Sequence, residues 1–92
     1  MKFELEETYL PDVKIIYSRI FEDDRGFFME TYNESDFKKL GLPINFVQLN
    51  HSFSVLSNTI RGLHFQWNKP SAKIMRVTVG EAFLVAVDIW PK

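Results

Sequence analysis

Cysteine is absent from the 92 residues, which excludes a disulfide framework, a thiolate nucleophile and a cysteine zinc site, and suits a reducing compartment. Long apolar runs are missing too. The longest, Ala82 to Val87, falls far short of the ~20 residues that cross a bilayer. The opening Met1-Lys2-Phe3-Glu4 has no apolar signal-peptide core. These features predict a cytoplasmic protein with no membrane partner. Neither sign of charge dominates: 11 basic and 12 acidic side chains leave a formal charge of -1. No bulk charge therefore draws in nucleic acid, and an anionic ligand must be held locally. Neither a Gly-rich phosphate loop, nor a zinc spacing, nor a serine nucleophile elbow can be found.

Proline and glycine are sparse, four of each, and they fall singly between apolar runs as turn punctuation. With no repeat, low-complexity tract or linker, residues 1–92 read as one domain. At 46% hydrophobic and 25% charged, the chain is apolar enough to fold, although a core of this size leaves a thin stability margin.

Val13 to Phe21, rich in β-branched and aromatic residues, predicts a strand that stops at the polar tetrad Asp23-Asp24-Arg25-Gly26. Phe27 to Tyr32 then returns as a second strand. Asn33 is placed to cap a short helix over residues 34–40, with acids in its first turn, Lys38 and Lys39 in its last and Gly41 as terminator. Four more strands are predicted over 45–55, 59–67, 73–79 and 82–89, broken at Ser57-Asn58, Lys69-Pro70 and Gly80-Glu81. The pattern is all-β, and short strands with short turns favour a jelly-roll β-sandwich. A jelly roll takes about eight strands where roughly six can be read, so the expectation is a partial one.

Alternation in 46–52 places Phe46, Gln48, Asn50 and Ser52 on one face and Val47, Leu49 and His51 on the other. That polar row reads either as a solvated outer face or as the wall of a pocket. Ile60-Arg61-Gly62-Leu63-His64-Phe65-Gln66 concentrates a guanidinium, a glycine, an imidazole and an amide among apolar neighbours. Arg61 and His64 would face opposite sides of a regular strand, so a shared site requires a kink or bulge near Gly62. Lys73 opens its strand, at a rim from which its ammonium reaches either a pocket or solvent. Arg25 reads as a surface ion pair in its turn, and Glu30 as an outward, solvated residue. His51 and His64 lie on different strands with opposite orientations, so no metal ligand pair is visible. Among the aromatics, Phe27, Phe28 and Trp67 are the candidates to stack on a base or a sugar ring.

Taken together, Asp24-Arg25-Gly26-Phe27-Phe28 with Glu30, Phe46-Val47-Gln48 with Asn50-His51-Ser52, and Arg61-Gly62-Leu63-His64-Phe65-Gln66 resemble the dTDP-4-dehydrorhamnose 3,5-epimerase family, of the cupin superfamily. Lys73-Ile74-Met75-Arg76-Val77 and Gly80-Glu81, leading to Val85-Ala86-Val87-Asp88-Ile89, extend the resemblance to its N-terminal half. The resemblance implies a cofactor-independent, metal-free enzyme, a homodimer of jelly rolls. Such an enzyme inverts C3 and C5 of a dTDP-4-keto-6-deoxyhexose on the way to dTDP-rhamnose and cell-surface polysaccharide. Both carbons are α to the ketone, so a base must remove each proton while a cation steadies the enolate. By position, the resemblance makes His64 the base and Lys73 the cation at the enolate oxygen. Arg61, Gln48 and Asn50 would line the site, and Arg25 and Glu30 would belong to the part shared across the dimer. An imidazole's ordinary pKa, about 6.5, suits a base near neutrality.

The family's aspartate that orients the histidine, and its tyrosine that reprotonates the sugar, are expected beyond Lys92. The sequence departs from the family pattern at Leu49, at Trp90 and in a spacing one residue short between His64 and Lys73. Two other functions remain open: a non-catalytic sugar-nucleotide-binding or dimerisation module, and a related cupin sugar 3,4-ketoisomerase. Open sheet edges in a partial jelly roll further predict association or strand exchange between copies.

Overall fold

The structure is a computed structural model that describes residues 2–68 and 71–89. Its regular elements, in order, are β1 (Phe3–Glu7), β2 (Lys14–Ser18), β3 (Ile20–Asp23), β4 (Gly26–Met29) and a helix, α1 (Glu34–Lys39). β1 pairs with β2 and β3 with β4, both antiparallel, as two separate two-stranded sheets. Four strands and one short helix make a partial all-β, cupin-like fold.

β1 alternates: Phe3 and Leu5 face inward while Glu4, Glu6 and Glu7 stay exposed. Its register sets Leu5 opposite Ile16 and Glu7 opposite Lys14. The second pair closes an ion pair of 3.0 Å between Lys14 Nζ and Glu7 Oε1. Between the strands, the Thr8 hydroxyl donates to the Val13 carbonyl at 2.6 Å and accepts from the Leu10 N–H at 3.2 Å, which ties the connection down.

The single strand expected over Val13 to Phe21 is two strands. The run breaks at Arg19, because its two halves have different partners. The Arg19 N–H still donates to the Lys2 carbonyl at 2.8 Å, at the end of the β1–β2 ladder. One residue later, Ile20 is already in register with Met29 of the second sheet. The Ser18 hydroxyl bonds the Glu30 carbonyl and pins the junction of the two hairpins. The expected turn is present: Asp24 and Arg25 connect β3 to β4, which is shorter than the predicted return strand and ends at Met29.

α1 forms where capping predicts it. The Asn33 side chain accepts from the Asp36 N–H at 3.0 Å, and Glu34 and Asp36 lie in the first turn, where their charge opposes the positive end of the helix dipole. At the far end, Gly41 takes φ +74°, a left-handed conformation that glycine adopts without steric cost. The Gly41 N–H then reaches the Lys38 carbonyl (3.1 Å) and the Leu42 N–H the Phe37 carbonyl (2.9 Å), the paired bonds of a Schellman motif.

The core is small and aromatic. Phe3 and Phe37 are fully buried, edge to face with centroids 5.2 Å apart. Tyr32 packs on Phe37 at 4.8 Å and on Phe46 at 5.6 Å, and its hydroxyl donates to the Ile44 carbonyl at 2.7 Å. Rings from β1, α1 and the chain around position 46 thus share one cluster, each pair adding about 1 kcal/mol beyond area burial.

The four strands expected over 45–55, 59–67, 73–79 and 82–89 are not formed among the described residues. The turn between the first two is. Asn58 sits at φ +62°, and the Thr59 hydroxyl closes the turn by donating to the Leu56 carbonyl at 2.7 Å. Gly80 also bends the chain where predicted, while the Lys69-Pro70 break lies outside the described residues. Alternation decides which face a strand presents. It does not supply the neighbouring strand whose N–H and C=O groups hold it.

Candidate active site

The β3–β4 hairpin builds the most structured part of the site. Asp23 lies before the turn and receives Arg25 three ways: its Oδ1 accepts the backbone N–H at 2.8 Å, and its Oδ2 accepts Nη2 at 2.6 Å and Nε at 3.2 Å. These bonds hold the Asp23 carboxyl below the usual carboxylate value, the Arg25 side-chain bonds contributing most. The expected surface ion pair is therefore present, and because both groups are exposed it is worth little in stability. What it does is aim the guanidinium. Arg25 lines an open cleft of about 350 Å³ together with Phe21, Phe27 and Phe28.

A second cleft, of about 360 Å³, opens on the other side of the hairpin between Ile20, Phe27 and Met29 and the chain at Arg76–Thr78. Glu22 lines both clefts. Neither Glu22 nor Arg76 was singled out from the sequence. The usable signal was strand parity, since Glu22 shares a face with Ile20.

Glu30 is half-buried, not solvated. Its Oε2 lies 3.5 Å from Lys2 Nζ, and its Oε1 is buried with no hydrogen-bond partner among the described residues. The expectation of an outward Glu30 fails because β4 ends at Met29, so simple alternation no longer directs the residue that follows.

The polar row of 46–52 is partly realised: Gln48 Nε2 donates to Asn50 Oδ1 at 3.3 Å, so these two amides lie side by side. Arg61 turns toward the preceding segment, with Nε and Nη2 each 3.2 Å from Ser54 Oγ. Gly62 takes φ +100°, and a Cβ at position 62 would lie 3.2 Å from His64 Nδ1. The irregular backbone expected at Gly62 is present as this φ, but no strand forms there for a bulge to interrupt, and the Arg61 guanidinium goes to Ser54, not to His64.

His64 and Lys73 are exposed. Neither lines either hairpin cleft. Among the described residues no hydrogen bond, ion pair or hairpin cleft joins the seven expected residues into one group: Arg25 lines a cleft, Glu30 meets Lys2, Gln48 meets Asn50 and Arg61 meets Ser54, while His64 and Lys73 line neither cleft. Among the described residues, no three His, Asp or Glu side chains gather as a metal ligand set, and no helix is long and apolar enough to cross a membrane.

The family model for dTDP-4-dehydrorhamnose 3,5-epimerase matches residues 7–92. The chain belongs to that family. A dTDP-4-dehydrorhamnose 3,5-epimerase of Methanothermobacter thermautotrophicus is 48% identical over 88 residues, which are 96% of this chain and 47% of the relative. The epimerase of the same name from Escherichia coli K12 is 51% identical over 86 residues, 91% of this chain and 46% of the relative. That of Pseudomonas aeruginosa is 48% identical over 81 residues, 87% and 44% respectively. The chain spans about half the length of these curated epimerases. The family resemblance carried by the Arg61–Gln66 stretch is borne out over nearly the whole sequence.

Proposed function

We propose that this chain serves a dTDP-4-dehydrorhamnose 3,5-epimerase, an isomerase acting on a dTDP-4-keto-6-deoxyhexose in dTDP-rhamnose biosynthesis, in the cytoplasm and as a homodimer. The observation that carries this reading is the family match over residues 7–92. The absence of cysteine is compatible with a reducing cytoplasm.

In this reading the neutral imidazole of His64 removes the proton on the carbon next to the ketone. The Lys73 ammonium stabilises the negative charge that moves to the ketone oxygen. Return of a proton from the opposite face completes each inversion. Gln48, Asn50 and Arg61 hold the sugar nucleotide. Arg25 and Glu30 belong to the part of the site shared across the dimer, Arg25 from the cleft beside Phe27 and Phe28. The close approach of the His64 ring to Gly62 supports a special role for His64, since only a glycine leaves room for the ring there.

One observation favours a second reading, a sugar-nucleotide-binding module without catalysis. The binding groups make ordered polar contacts, Gln48 with Asn50 and Arg61 with Ser54, while His64 makes no hydrogen bond among the described residues. Deuterium exchange at C3 and C5 of the keto sugar nucleotide in D₂O separates the two. Exchange that disappears in His64→Ala supports the epimerase, and binding with no exchange in the unaltered protein supports the module.

A further inference from the structure

The Ser57-Asn58 turn joins two arms of the chain, with Asn58 at φ +62° and the Thr59 hydroxyl closing onto the Leu56 carbonyl. Ser54 and Arg61 stand equally far from its two central residues, one on each arm, which makes them partners across the turn. Their side chains do meet. Arg61 Nε and Nη2 each lie 3.2 Å from Ser54 Oγ, and Nη2 lies 3.5 Å from the Phe53 carbonyl oxygen. The contact needs the turn and nothing beyond it, for neither residue belongs to a strand.

Arg61 differs from the paired cations of this chain in the charge of its partners. Lys2, Lys14 and Arg25 face the carboxylates of Glu30, Glu7 and Asp23, which offset their charge. Among the described residues, the Arg61 guanidinium meets only a hydroxyl and a carbonyl. It is therefore held in direction with its full positive charge left over. An apolar residue at position 54 would leave a long side chain to be ordered at the moment of binding, at a cost in affinity. A carboxylate there would order it but compete with an anionic ligand for the same N–H groups. A hydroxyl avoids both. Because its bonds are made on the Nε and Nη2 edge of the rigid guanidinium fork, the Nη1 N–H groups remain to donate elsewhere.

We propose that Ser54 is a positioning residue for substrate binding: it fixes the Arg61 guanidinium across the turn and leaves its charge for the anionic part of the sugar nucleotide. The proposal rests on the reading of Arg61 as a group that holds that ligand.

The chain is titrated with thymidine diphosphate, and the exchange of the Arg61 Nε–H is followed by ¹H–¹⁵N NMR in the same samples. Ser54 is exposed and outside the aromatic core, so substitutions there leave the core intact. Ser54→Ala is expected to speed the exchange and to weaken binding about fivefold, the size of one ordinary net hydrogen bond. Ser54→Thr, which keeps the hydroxyl, is expected to match the unaltered protein in both respects. Ser54→Asp is expected to split the two readouts. Exchange slows, because a carboxylate grips the guanidinium harder, while affinity falls below that of Ser54→Ala, because the charge is cancelled. A merely structural role would move the two together. Arg61→Ala separates the two levels of the argument. If the unaltered protein does not bind thymidine diphosphate, or if Arg61→Ala binds it equally well, the reading of Arg61 is overturned and the proposal with it. If Arg61→Ala weakens binding but Ser54→Ala does not, or if Ser54→Asp binds as tightly as the unaltered protein, the proposal alone is overturned.

Discussion

The imidazole of His64 lies folded over Gly62, close enough that a methyl group on Gly62 would sit 3.2 Å from Nδ1 and 3.3 Å from the His64 backbone nitrogen. Glycine at this position does two things: it permits φ +100°, and it leaves room for the ring. Gly62→Ala is therefore expected to displace the His64 side chain, and to cost about 1 kcal/mol through the unfavourable φ alone. The displacement is read from the ring ¹H–¹³C shifts of His64. Unchanged ring shifts would contradict the close approach.

The Asp23 carboxyl is expected to titrate below the ordinary 3.8, because ionised Asp23 is what Arg25 binds. A lowered folded value means that the contribution to stability is present above 3.8 and is lost as pH falls through the folded value. Carboxyl ¹³C shifts followed from neutral pH downward measure it directly. Arg25→Gln is expected to move the Asp23 midpoint up toward 3.8, since it removes the side-chain bonds that lower it most.

Phe37 is one of two fully buried side chains among the described residues and meets both Phe3 and Tyr32. Truncation to alanine removes the centre of that cluster, with an expected loss of about 3–5 kcal/mol. In a chain with so little other core, that loss is expected to abolish the cooperative unfolding transition in urea. Phe37→Leu keeps most of the volume, and is expected to retain a transition at lower denaturant concentration.

Asn33→Ala removes the acceptor for the Asp36 N–H. The expected cost is about 1 kcal/mol, while Asn33→Ser, which keeps a capping oxygen, is expected to cost a small fraction of that. Amide exchange at Asp36 and Phe37 reports the change locally. Equal protection in both variants would mean that the cap contributes nothing.

Particular elements show how far the fold could be read in advance. Asn33, Gly41, the Asp24-Arg25 turn and the Ser57-Asn58 turn all do what their residue types suggest. β1 went unread, although Phe3 and Leu5 alternating with Glu4 and Glu6 carried the signal. The break at Arg19 had no local marker at all: no glycine or proline stands there, and only the competing claims of Lys2 and Met29 divide the run. Of the candidate site, the ion pair of Arg25 in its turn, the placement of Gln48 and Asn50 on one side and the irregular backbone at Gly62 were legible. The direction of Arg61 toward Ser54, across the turn at 57–58, and the burial of Glu30, which meets Lys2 at the start of the chain, were not, because neither contact follows from strand alternation.

The amino-acid order alone settled where the chain turns, where its helix begins and ends, and to which family it belongs. A cap or a turn is satisfied by groups within a few residues, and a family is a pattern of residues in order. Tertiary structure decided which strands found partners, which aromatic rings were buried and how the polar groups were shared out. A β-ladder and a core are made by segments far apart in the chain, so alternation at 45–89 states what those residues need without containing what meets the need.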